Sequence, residues 1–386
     1  MTPEQAAIRR ATLAAQREVV ALDSASLNEL EQIYRQAAAD IAQHIAVHGG
    51  ADGNVSLQEM QSVLDQVNAR LRALAEQRNA LLNGNLAAAA ALGTQPLVAE
   101  AALSSAAAMQ INHEALQFVR TFVSSDGLQL SDRIWRLDRH ARDAVANAIE
   151  MAVIQGHGAA QAAREFLARG EPVPIELQDK IGAASSAGIA KDTTDALLTG
   201  QGSPMDNAMR LMRTEINRAH GEAYIKGALS HPDAAGVRFK LSPGHPKPDI
   251  CDLHSTANLH GLGAGVYPTR EACPWPAHPN TISFVEVVFK DEVTDADRAG
   301  KETPMQALER LTPAQRIGVL GKSKAEAFKD GKLTQGMIKA PWREVQKRIG
   351  ANKPEPKPLP KTQKLWITLS EKSPPANPVE RSLRRG

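Results

Sequence analysis

Over residues 1–200 the apolar positions recur at helical spacing. Leu57, Met60, Val63, Leu64, Val67, Leu71 and Leu74 are three or four residues apart, which places them on one face of a helix. Thr2-Pro3-Glu4-Gln5 combines an N-cap, a first-turn proline and a Gln that closes a capping box. A helix is therefore predicted from the first residues, with Gly49-Gly50 as its stop. Ser56 to Glu59 forms a second box, and Asn83-Gly84-Asn85 predicts an end or interruption of the helix it opens. Gly, Pro and Ser/Asp boundaries predict further helices near 97–123, 132–155, 159–169 and 175–198. No strand pattern precedes residue 200, so the first half reads as an elongated helical bundle or arm.

Ser203-Pro204 opens another helix, with an apolar seam at Met209, Met212, Ile216, Ala219 and Ala223. Arg210, Arg213, Asn217, His220 and Tyr224 share a neighbouring polar stripe. After His231-Pro232 the period shortens: Val237–Leu241 and Ile282–Phe289 are β-type runs, divided by a stretch rich in Pro, Gly and His. Thr303 to Gln306, Thr312 to Gln315 and Ser323 to Glu326 predict short helices. The predicted fold is mainly α: a helical arm or bundle over 1–200, a small α+β module over 201–345, and a flexible basic tail over 346–386.

Charge sharpens this division. Residues 1–200 carry 16 Lys+Arg against 23 Asp+Glu, while the whole chain is +2. Residues 339–386 hold 12 basic and 4 acidic side chains, with Pro354, Pro356, Pro358 and Pro360 alternating. Such a tail is extended, and Lys353, Lys357, Lys361, Lys364, Arg381, Arg384 and Arg385 suit double-stranded DNA or an acidic protein; the alternative is a solvated end that aids solubility. No apolar run approaches a membrane span, and the N-terminus carries a cap and early charges where an export signal needs an apolar run. The expected compartment is the cytoplasm of the producing cell.

Candidate chemistry lies between His245 and His278, where both cysteines and four of the eleven histidines fall. Cys251-x2-His254 and Cys273-x4-His278 have the close-paired spacing of two ligands gripping a tetrahedral Zn²⁺, and a loop poor in apolar residues would benefit from such a staple. The alternative is a pair of buried thiols in polar turns. Leu320-Gly321-Lys322-Ser323 lacks the first glycine and the strand of a phosphate loop, and Gly261-x-Gly263-x-Gly265 lacks the setting of a dinucleotide fingerprint. No nucleotide cofactor is expected. Asp52–Glu59 matches half of a calcium loop, with too few carboxylates.

The helix RTEINRAHGEA (Arg213 to Ala223), the strand VRFKLS, the Cys251-x2-His254 step, the GVYP turn and His278-Pro279-Asn280 occur in that order. Together they resemble the phage head morphogenesis family, the Mu F-like minor head proteins, over about residues 200–345. The LTPAQRIGVLG, KDGKL and APW segments are similar to the downstream part of such proteins. Family members commonly carry cysteines where this chain has His254, Thr281 and Ser283.

The resemblance implies a structural minor capsid protein incorporated near the portal. Its partners would be portal, major capsid or scaffolding proteins, first in the host cytoplasm and then in the virion head. It also implies a structural or interaction role for Arg213, Glu215, Asn217, Arg218 and His220; the plainer reading is that Glu215–Arg218 and Arg218–Glu222 are helix-surface pairs.

Two enzymatic alternatives stand beside it. A metal-dependent nuclease would use His254, Asn258, His278 and Asn280 with Asp252. A toxin fused to a head-protein module would need an enzyme domain for which the tail is too short.

Overall fold

The structure is a computed structural model and describes residues 1–48, 55–123, 126–242, 244–245, 247–278, 281 and 283–351. The chain is mainly helical, with thirteen α-helices and one three-stranded antiparallel sheet among the described residues. It divides into two compact units, Met1–Gly321 and Lys322–Gly386, so residues on both sides of position 200 belong to the first.

The helices α1 (Pro3–Val47) and α2 (Leu57–Ala99) start at the Thr2 and Ser56 boxes, and in each the cap side chain accepts from the third backbone N–H. Helix α2 runs unbroken through Asn83-Gly84-Asn85, because Leu82 and Leu86 on either side are buried in the common core. The helix predicted from 97 begins later, as α3 (Ser105–Thr121). The two segments at 132–155 and 159–169 are one helix, α4 (Leu130–Ala168), whereas 175–198 divides into α5 (Ile175–Ala183) and α6 (Ser186–Leu198). Gly156 explains the first of these differences: a Cβ there would lie 1.9 Å from the Ala184 Cβ, so this glycine makes a helix contact instead of a break.

Helix α7 (Pro204–Leu229) is the axis of the first unit and packs on α1, α2, α3 and the sheet. Its crossing with α2 is close, since a Cβ on Gly93 would sit 2.5 Å from the His220 carbonyl and 2.9 Å from the Tyr224 amide nitrogen. The strands β1 (Ala234–Lys240), β2 (Val266–Tyr267) and β3 (Phe284–Phe289) are ordered β2-β1-β3, with Val237 opposite both Tyr267 and Val287. The outer edge of β3 is covered by side chains. Arg9 and Gln16 of α1 donate to the Val287 and Val285 carbonyls at 3.4 Å, and the Tyr224 hydroxyl accepts from the Val287 amide at 3.0 Å.

Short helices complete the first unit: α8 (Ile250–Thr256), α9 (Asp295–Ala299), α10 (Pro304–Arg310) and α11 (Pro313–Leu320), the last two opening at the Thr303 and Thr312 boxes. In the second unit α12 (Lys322–Lys329) begins one residue before Ser323, so Ser323 is a helical residue and not its cap. Lys324 donates to the Ile338 carbonyl at 2.7 Å, and α13 spans Trp342–Ala351. Among the described residues no helix is long and apolar enough to cross a membrane. Gly49-Gly50, the calcium-like half-loop at Asp52–Asn54, Pro279-Asn280, Ile282 and the tail cations Lys353, Lys357, Lys361, Lys364, Arg381, Arg384 and Arg385 lie outside the described residues.

Candidate functional site

Helix α7 is fixed at its start by Ser203, whose hydroxyl accepts from the Asp206 amide at 3.2 Å. Met212, Ile216, Ala219 and Ala223 bury its apolar seam. Along the polar stripe the environment changes with each turn. Arg210 is exposed, Arg213 pairs with Asp23 of α1 at 3.0 Å, Asn217 donates to the Thr281 carbonyl, and His220 and Tyr224 are buried with their rings stacked 6.4 Å apart.

Two carboxylates of α7, Glu215 and Glu222, are not surface groups. Glu215 is fully buried and bound by Arg218, one turn on, and by Arg133 of α4 at 3.0 Å. Glu222 does not pair with Arg218; it is buried against Arg270, from the loop between β2 and β3, with Lys226 at 3.9 Å. The guanidinium groups of Arg218 and Arg270 lie over the Phe122 and Phe118 rings at 4.5 and 4.9 Å.

Burial pushes the Glu215 carboxyl up, opposed by its two arginines, and pushes Arg218 down. Removing one partner from such a buried pair leaves an uncompensated charge, typically at a cost of about 3–5 kcal/mol. Arg133 and Arg270 escape sequence reading because they stand 82 and 48 residues from the groups they meet. A glutamate next to a buried helical seam was the available signal.

The four residues predicted as zinc ligands do not converge. Among the described residues, Cys251 and His278 come together with Asp249, their donor atoms within 4.8 Å of one another, whereas His254 and Cys273 join no such group. His254 is buried with its ring edge-on to Phe239 at 5.8 Å, and its carbonyl accepts from the Tyr267 hydroxyl. Cys273 packs among Phe239, Tyr267 and Trp275. The spacing Cys-x4-His fails because the chain between Cys273 and His278 turns the thiol into the apolar cluster while His278 meets Asp249 at 3.1 Å.

Burial pushes both thiols up to about 12, so each is a neutral packing group near pH 7. The Cys251 sulfur lies 3.8 Å from the Thr281 hydroxyl, and the Ser283 amide donates to that hydroxyl. Cys251, Thr281 and Ser283 thus meet, with two hydroxyl side chains beside the thiol. The predicted set therefore does not fit a zinc ion, and a three-donor group with a different membership takes its position.

Of the residues named for a nuclease, Asp252 and Asn258 are occupied in holding turns. The Asp252 carboxylate accepts from the Asp249 amide at 2.7 Å and meets His245 at 3.1 Å. Asn258 donates to the Asp297 carbonyl and accepts from the Gly263 amide. Asn280 lies outside the described residues.

Asn217, His220, Thr281 and Ser283 line one cleft of about 470 Å³, walled on the α1 side by Leu13, Val20 and Asp23. The imidazole Nε2 of His220 and one carboxylate oxygen of Asp23 are buried there without a hydrogen-bond partner. Burial lowers His220 to about 4, so its ring is neutral.

Comparison with family models, with curated proteins and with solved structures produced no match.

Proposed function

We propose that the protein is a structural minor head protein of a tailed phage or prophage, acting in prohead assembly near the portal and made in the host cytoplasm before it enters the virion head. The observation that carries this reading is the use made of α7. The helix that bears the family-like sequence buries Glu215 and Glu222, and its partners arrive from α4 and from the loop after β2. Arg213 and Asn217 tie the same helix to α1 and to the segment before β3. Groups that could perform chemistry are thereby spent on bracing, which suits a part whose work is to hold a shape against portal, major capsid or scaffolding subunits.

The test is to disrupt the gene in its phage and to map the protein's neighbours in purified heads by crosslinking. Loss of filled heads, with crosslinks to portal or capsid subunits, is the expected result. Normal virions without the protein, or turnover of plasmid by the purified chain with Mg²⁺ or Mn²⁺ that His278→Ala abolishes, would refute the reading.

A further inference from the structure

On the opposite side of α7 from the His220 cleft lies a second cavity of about 570 Å³, between the start of α4 and the first turns of α7. Four arginines line it, Arg133, Arg136, Arg210 and Arg218, against two carboxylates, Asp126 and Glu215. Both acids are already engaged. Arg133 binds Asp126 at 3.4 Å and Glu215 at 3.0 Å, and Arg218 binds the other oxygen of Glu215. Arg136 and Arg210 are exposed, and among the described residues neither guanidinium has an ion-pair or hydrogen-bond partner. The lining therefore keeps an excess of two positive charges.

A second observation points to a ligand. Arg218 is only 2% exposed, its Nη1 is committed to Glu215, and its Nε is buried with no acceptor. A buried donor left unpaired costs about 1–3 kcal/mol, and one on a charged group costs more, so the group is expected to have a use. Phe122 beneath the guanidinium plane fixes its orientation. The Arg133–Glu215–Arg218 chain holds the two inner guanidinium groups rigid, and the two outer ones are free to close over whatever enters.

We infer that this cavity is a phosphate-binding site, taking phosphoryl oxygens on Arg136 and Arg210, with the buried guanidinium of Arg218 adding positive charge to the wall behind them. Arginine matches that chemistry because its planar fork presents paired N–H donors to tetrahedral oxygens and keeps its charge at every physiological pH. The cavity is larger than one phosphate, and Leu128, Leu137 and Leu211 give it apolar wall. The phosphate therefore belongs to a larger ligand, either a nucleic-acid backbone or a phosphorylated small molecule. This inference stands apart from the head-protein reading, since it uses only the charge and geometry of the cavity.

The test uses the full chain and two probes, inorganic pyrophosphate and a short DNA duplex, with citrate as a non-phosphate control anion, titrated by calorimetry at several salt concentrations. The variant Arg136→Ala/Arg210→Ala removes only exposed side chains and should melt with the wild type. Arg139→Ala/Arg142→Ala, on the same helix but outside the cavity, controls for lost net charge. We expect the first variant to bind at least one probe about tenfold or more weakly, while the control stays near wild type.

If the natural source is a nucleic-acid backbone, the slope of log affinity against log salt for the duplex falls by about two, one for each arginine removed. If it is a small phosphorylated ligand, pyrophosphate binding is lost and the duplex slope is unchanged. Equal losses in the two variants, no loss in either, or citrate bound as tightly as pyrophosphate would overturn the assignment.

Discussion

The hydroxyl of Tyr224 joins three elements: it meets Thr12 of α1 at 3.1 Å and accepts from the Val287 amide of β3 at 3.0 Å. Tyr224→Phe keeps the ring and leaves that buried amide unpaired. We expect a loss of about 1–3 kcal/mol, read as a lower urea midpoint at unchanged m-value. A midpoint equal to the wild type would mean that another acceptor replaces the hydroxyl.

His220 makes a pH-dependent contribution. Its folded value of about 4 lies below the ordinary 6.5, so below 6.5 the unfolded chain takes up a proton that the folded chain refuses. Stability from this source is complete above 6.5 and is lost as pH falls toward 4, by about 3 kcal/mol at about 1.4 kcal/mol per pH unit. His220→Gln should flatten the wild-type decline between pH 6.5 and 4; parallel curves for the two proteins would contradict it. Spacing places Tyr224 and His220 on one stripe of α7, but the hydroxyl's partners, Thr12 and Val287, are joined to that stripe by no local pattern.

At the scale of elements, local chemistry is readable and tertiary packing is not. The boxes at Thr2, Ser56, Thr303 and Thr312 all start helices, because a cap is settled within four residues. Asn83-Gly84-Asn85 has the composition of a break because turn residues cluster there, yet burial of Leu82 and Leu86 outweighs the propensity cost. Gly84 is an exposed interior glycine, and a Cβ added to it would have nothing within 4 Å, so Gly84→Ala should stabilise by about 0.5–1 kcal/mol in denaturant melts. Gly93, on the same helix, should behave oppositely, since a methyl there meets α7 backbone.

The paired cysteines and histidines mislead for a related reason. Sequence spacing reports which donors are near along the chain, whereas Asp249, the residue that gathers Cys251 and His278, is recognised only once the loop is folded.

For the molecule as a whole, composition shows where charge accumulates but not where compact units divide. The acidic helical half and the sheet share the unit ending at Gly321, and α7 packs on both. The basic excess of residues 339–386 suggests its own test. Removing residues 351–386 should reduce retention of DNA at low salt and lessen its salt dependence; undiminished retention would assign the binding elsewhere.

The cover over β3 carries a further consequence. Arg9 reaches a carbonyl 278 residues further along the chain, so during synthesis the N-terminal helix must wait for its partner strand until most of the polypeptide has left the ribosome. Without that helix the outer ladder of β3 is an exposed template for pairing with another chain, and a protein shortened at its N-terminus would keep that template permanently. Precipitation on overexpression is the expected fate of such a shortened form, even if each remaining helix is intact.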